Sequence, residues 1–155
     1  MAIQNIFVVG AGLMGSGIAQ TAMTSGYHVI LNDQRQETLE RAQMGIESRL
    51  KHMVEKGTMS EEEFQDCMGR LKIDTRLSAA READLVVEAI FENLEAKQAV
   101  FRQLEEICPD HTIFASNTSS ISLTALAAAT KRPSRVVGMH FFSPVPKMKL
   151  CEVIF

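Results

Sequence analysis

The chain has little of what disulfide, zinc or nucleic-acid chemistry requires. Three cysteines, Cys67, Cys108 and Cys151, occur in 155 residues. They have neither C-x-x-C spacing nor an even count, so a disulfide frame or a metal site is not expected. Sparse, unpaired cysteine suits a reducing compartment. Lys and Arg number 16 against 19 Asp and Glu, a net charge of −3. With no basic run, neither nucleic acid nor an anionic membrane surface is expected as a partner. No apolar run reaches the ~18 residues of a membrane span. The N-terminus enters an apolar strand within a few residues, without a charged leader and h-region, so no secretory signal is expected. The expected location is the cytoplasm, or the mitochondrial matrix where a leader has been removed. Repeats and low-complexity tracts are absent, and the length suits one domain with a sizeable core.

What the chain does have is an alternation of strand and helix patterns. Ile3 to Val9 reads as a buried strand, Met14 to Ser25 as a helix with a stripe of Met14, Ile18, Ala19, Ala22 and Met23, and Tyr27 to Asn32 as a second strand. A long helix, about Gln36 to Lys56, ends at Gly57. Thr58 or Ser60 caps a further helix that runs to about Met68. Alternation resumes with strands at Leu71–Asp74, Leu85–Ala89, Thr112–Ala115, Arg135–His140 and Leu150–Phe155. Helices are expected near Ser78–Arg81, at Leu94–Ile107 and at about Ser122–Ala129. The fold class expected is α/β, a Rossmann-like, doubly wound and mostly parallel sheet with a projecting helical hairpin after the second strand. That hairpin reads either as scaffold or as an arm meeting a large substrate, with Lys51, Lys56, Arg70 and Lys72 as phosphate ligands.

Between the first strand and helix lies Gly10-Ala11-Gly12-Leu13-Met14-Gly15, a G-x-G-x-x-G run in a strand–turn–helix setting. Gly10 allows the tight turn, Gly12 lets backbone approach a pyrophosphate, and Gly15 lets the helix lie close to the sheet. The helix N-terminus offers its unpaired N–H groups to phosphate. Asp33 closes the second strand at the ~20-residue offset where a carboxylate accepts ribose hydroxyls. A carboxylate there repels a 2′-phosphate, which favours NAD over NADP; Arg35, two residues on, softens that preference. Glycines making only a tight turn is the plainer alternative.

Ligands of such sheets sit at the carboxyl ends of the strands, which draws attention to Glu88–Glu92, Ser116–Ser120 and His140 onward. Ser116-Asn117-Thr118-Ser119-Ser120 reads either as a helix N-cap through Ser119 or Ser120 or as a polar lining beside the nicotinamide end. His140 ends a buried strand, a position that also suits a structural histidine. Glu152 interrupts the apolar run of the last strand, where an unpaired carboxylate is unfavourable. Pairing with His140 offsets that penalty and raises the imidazole's basicity.

Four segments, Gly10–Gly15, Val87-Glu88-Ala89-Ile90-Phe91-Glu92-Asn93, Phe114–Ser120 and His140-Phe141-Phe142-Ser143-Pro144-Val145-Pro146, occur in order. Together they closely resemble the NAD-binding domain of L-3-hydroxyacyl-CoA dehydrogenases, 3-hydroxybutyryl-CoA dehydrogenases included. The resemblance implies reversible oxidation of an L-3-hydroxyacyl-CoA to the 3-ketoacyl-CoA with NAD, in fatty-acid β-oxidation or butanoate metabolism. It implies that His140 is the general base, that Glu152 orients it and that Ser119 hydrogen-bonds the reacting oxygen. Glu92, Lys97 and Asn117 fall near the cofactor, and Lys56 is similar to a position that meets CoA. Ser143 stands where the family commonly has an Asn associated with the cofactor. The family continues into a C-terminal helical domain that closes the site and forms a homodimer; the expectation is that this chain is the cofactor-binding half, with weak or absent turnover alone. Two other readings share the scaffold: a non-catalytic, crystallin-like NAD-binding protein, and an NAD-dependent dehydrogenase of free hydroxy acids.

Overall fold

The computed structural model describes residues 2–155. Strands β1 (Asn5–Val9), β2 (His28–Asn32), β3 (Leu71–Asp74), β4 (Leu85–Glu88), β5 (Ile113–Ser116), β6 (Val136–Phe141) and β7 (Cys151–Ile154) form one sheet in the order β3-β2-β1-β4-β5-β6-β7. Pairs from β3 to β6 are parallel, and β7 runs antiparallel to β6. The order reverses at β1, between β2 and β4, the switch point where such sheets open a crevice.

The apolar strands are buried on both faces. Ile6, Val8, Leu31 and Val87 pack with Ile18, Ala19 and Met23 of helix α1 (Leu13–Thr24). Leu39, Ile46 and Leu50 of α2 (Gln36–Glu55) and Phe64 and Cys67 of α3 (Glu61–Gly69) join that same core. Phe7, Val9, Val86 and Phe114 pack on the other face with Phe101 and Leu104 of α4 (Leu94–Ile107) and Leu126 of α5 (Leu123–Ala128). One strand therefore supplies two cores, the period-two consequence of a sheet covered on both sides.

The short helix expected near Ser78–Arg81 forms as the 3-10 helix Leu77–Glu82. Of the two cap candidates for α3, Ser60 serves, its hydroxyl accepting from Glu63 N at 3.0 Å. The cap of α5 is Ser122, accepting from Ala125 N at 3.2 Å, not Ser119 or Ser120. The penalty argued for Glu152 does not arise either, because the outer strand leaves this carboxylate exposed. Arg70 is engaged within the fold, its Nη1 donating to Met23 O at 2.7 Å and lying against Cys67 Sγ.

Candidate active site

Strand register levels the functional residues before any side chain is considered. Val9 pairs with both Asn32 and Glu88, Glu88 with Ser116, and Ser116 with Gly138. Gly10, Asp33, the segment from Ala89, Asn117–Ser120 and His140 therefore all emerge at the same edge of the sheet.

At the switch point the chain turns tightly into α1. Gly10 has φ +101°, and a Cβ there would lie 2.6 Å from the Ala89 carbonyl oxygen. A Cβ on Gly15 would lie 1.6 Å from the Gly10 carbonyl oxygen, so helix and turn touch backbone to backbone. Gly12, the N-cap of α1, carries no side-chain cap, and a Cβ there would meet nothing within 4 Å. The N-terminus of the helix is thus uncapped and approachable at Gly12, as a pyrophosphate cradle requires. Asp33 braces the turn: Oδ2 accepts from Ala11 N at 3.0 Å and Oδ1 from Arg35 N at 3.1 Å. Gly10, Gly12, Asp33 and Arg35 line one cavity of about 590 Å³.

A second cavity, of about 400 Å³, shares Ala89, Ile90 and Phe91 with the first, so the two form one groove along the strand ends. It brings together Met14, Glu92, Lys97, Asn117, Ser119, His140 and Ser143, seven of the residues singled out from the sequence. Asn117 ties β5 to β6, its Oδ1 accepting from Phe141 N at 3.0 Å. His140 lies against the Phe142 ring with centroids 4.8 Å apart. Ser143 precedes Pro144 through a cis peptide bond. Val145, just beyond, is buried at 4% against Gly17, where a Cβ would come within 2.9 Å of it. That contact folds the turn-rich segment back onto α1 beside the groove.

Four predicted residues lie elsewhere. Leu13, at the start of α1, is exposed and lines neither cavity, and Gly15 lies buried beneath the turn. Lys56, the C-cap of α2, is exposed and also lines neither. Glu152 stands directly opposite His140 in the β6–β7 register. The two Cβ atoms are therefore roughly 5 Å apart on one face. Among the described residues no ion pair within 4.0 Å joins them.

Lys97 is placed in an unexpected role. Its ammonium donates to Glu88 Oε2 at 2.5 Å and Ile90 O at 3.2 Å, and pairs with Glu92 Oε1 at 3.1 Å. All three donors are engaged by the protein where Lys97 lines the groove. Burial pushes the Glu92 carboxyl up, but the Thr118 hydroxyl, Lys97 and the Ser120 hydroxyl together hold it below the usual carboxylate range. Glu88, marked from the sequence only as a strand-end residue and given no role there, carried a signal as an acidic side chain ending the apolar run Leu85-Val86-Val87. Lys97 carried the matching one, sitting in the apolar stripe Leu94, Phe101, Leu104 at helical spacing.

Comparison with known proteins agrees with this geometry. Residues 5–155 match the family model described as "3-hydroxyacyl-CoA dehydrogenase, NAD binding domain". A Bacillus subtilis protein named "Probable 3-hydroxybutyryl-CoA dehydrogenase" is 49% identical over 154 residues, 99% of this chain and 54% of that protein. The mitochondrial hydroxyacyl-coenzyme A dehydrogenase of Rattus norvegicus is 46% identical over 98% of this chain and 50% of its own length. The crystal structure of 3-hydroxybutyryl-CoA dehydrogenase from Escherichia coli K12 superposes with a TM-score of 0.96 at 47% identity, covering 99% of this chain and 32% of that one. The chain thus spans about half the length of these two curated relatives, and a third of the solved one.

Proposed function

Since this chain belongs to the 3-hydroxyacyl-CoA dehydrogenase family, matching its NAD-binding domain over residues 5–155, we propose that it binds NAD along the groove and supplies the proton-transfer residues for reversible oxidation of an L-3-hydroxyacyl-CoA to the 3-ketoacyl-CoA. The observation that carries this reading is the single groove running from Asp33 past Gly12 to Ser119 and His140. Asp33 accepts from the adenosine ribose, and the open N-terminus of α1 meets the pyrophosphate. Bound NAD supplies the hydride acceptor. His140 takes the proton of the 3-hydroxyl as the C–H bond breaks, and returns it in the reverse direction. Ser119 donates a hydrogen bond to the same oxygen, and Glu152, opposite His140 across β6 and β7, orients the imidazole. Glu92, Asn117 and Ser143 border the nicotinamide.

For the acyl-CoA, Lys56 is an exposed cation suited to a CoA phosphate. We assign closure of the groove over the acyl group, and homodimer formation, to the additional half that the relatives carry. The location that fits is the cytoplasm or the mitochondrial matrix; no helix of the described residues is long and apolar enough to cross a membrane.

The test is acetoacetyl-CoA reduction by NADH. His140→Gln is expected to lower turnover by ~10²–10⁴-fold with NAD affinity kept; unchanged turnover sinks the base assignment.

A further inference from the structure

Glu88, the last residue of β4, is fully buried, and Lys97 on the inward side of α4 is 1% exposed. Taking two ions out of water is unfavourable unless every lone pair and proton finds a partner. Here they do. Glu88 Oε1 accepts from Ser116 Oγ at 2.6 Å, and Oε2 accepts from Ile90 N at 2.7 Å as well as from Lys97. An apolar pair of similar volume is often as stable as a buried ion pair, so stability alone does not account for these ions. What they provide is reach. The third proton of Lys97 goes to Glu92 Oε1, and Glu92 Oε2 accepts from Thr118 Oγ1 at 2.7 Å and Ser120 Oγ at 2.9 Å. Those hydroxyls flank Ser119. From the other side, Ser116 Oγ accepts from Thr118 N at 3.2 Å. The turn after β5 is thus gripped through both arms of one charged relay.

We propose that Glu88 and Lys97 are positioning residues which, acting through Glu92 and Ser116, set where Ser119 presents its hydroxyl to the reacting oxygen. This rests on the reading of Ser119 given above. The charged and titratable groups around Glu92 are Lys97 from α4, Glu88 from β4 and, across the groove, His140 from β6.

Hydrogen exchange of the unliganded chain tests the relay directly. The double variant E88Q/K97M removes both buried charges at similar volume. E92A leaves that pair in place and removes the acceptor of both flanking hydroxyls, while E92Q keeps an acceptor. Amide exchange across 118–121 is expected to quicken about tenfold or more in E88Q/K97M and in E92A. It should return most of the way in E92Q, with the amides of β1 and β2 unmoved. Unchanged exchange at 118–121 in E92A or in a folded E88Q/K97M overturns the proposal, as does a uniform quickening of every amide, which marks a loss of global stability only. If E88Q/K97M does not fold, E92A against E92Q decides. A wild-type chain that fails to bind NADH sinks the dehydrogenase reading instead, and the exchange result on the unliganded chain separates the two.

Discussion

Asp33 serves two neighbours at once, bracing Ala11 N and Arg35 N while lining the adenosine end of the groove. Hydrogen bonds to an ionised group are the stronger class. Asp33→Ser is therefore expected to weaken NADH binding about tenfold to a hundredfold. It should also narrow the preference over NADPH, because a 2′-phosphate would no longer meet a carboxylate and Arg35 stands nearby. Parallel titrations with the two cofactors check this, and an unchanged ratio contradicts it. A second carboxylate works far from the site. Asp84 accepts from Asn5 N and Gln4 N, each at 2.9 Å, and its other oxygen lies 2.9 Å from His111 Nε2. The Asn5 bond, with that of Gln4, holds its carboxyl below the usual range against burial, with a smaller contribution from His111. A depressed pKa in the folded state gives stability that is present above the ordinary aspartate value and lost as pH falls through the folded one. Asp84→Asn should then cost about 1–3 kcal/mol at pH 7. The gap from wild type should close as acid below about pH 4 protonates the native carboxyl. Urea midpoints across pH measure this.

The β1–α1 turn offers a comparison that separates folding from binding at the level of elements. In Gly15→Ala the new methyl meets the Gly10 carbonyl, and backbone cannot give way cheaply. A loss of about 1–3 kcal/mol or more is expected. In Gly12→Ala the methyl meets nothing in the protein, so stability should stay within about 0.5 kcal/mol. Affinity for NADH should nevertheless fall about tenfold or more, because the methyl occupies the pyrophosphate's approach. Thermal melts and cofactor titration on both variants check the pair, and a Gly12→Ala chain that binds normally contradicts the cradle. The same segment shows why so much of the fold was legible. β1, α1 and β2 each carry an unbroken apolar period punctuated by glycine, and all three form within two residues of expectation. Where caps are concerned, local pattern ran out: Ser122 rather than two earlier serines caps α5. The cap had several adjacent candidates of equal chemistry, and only the place where the chain turns upward from β5 selects among them.

At the scale of the molecule, the site was legible as a set of strand ends and not as a set of contacts. Parallel order sends Asp33, Ser119 and His140 to one edge, and the groove gathers them. Partner choice among charges is a long-range fact and was not legible. Glu152 was expected to be hidden and paired, yet β7 is the sheet's outer strand, with Glu152, Val153 and Ile154 all exposed. Lys97, expected near the cofactor, lines the groove while donating to Glu88, Ile90 and Glu92. The closure proposed for the relatives' second half also bears on rate, because an acyl group that loses positioning loses ~10²-fold or more in turnover. Steady-state acetoacetyl-CoA reduction by the 155-residue chain should fall short of a relative of full length by at least that factor; ordinary turnover contradicts the proposed need for the relatives' second half. The central claim, one groove reading both ends of a dinucleotide, is met most directly by titrating the labelled chain with NAD and following its amide resonances. Gly12 and Asp33 at one end and Asn117, Ser119 and His140 at the other should shift together along a single binding curve. Shifts confined to the Gly12–Asp33 end, with Ser119 and His140 unmoved at saturation, would contradict it.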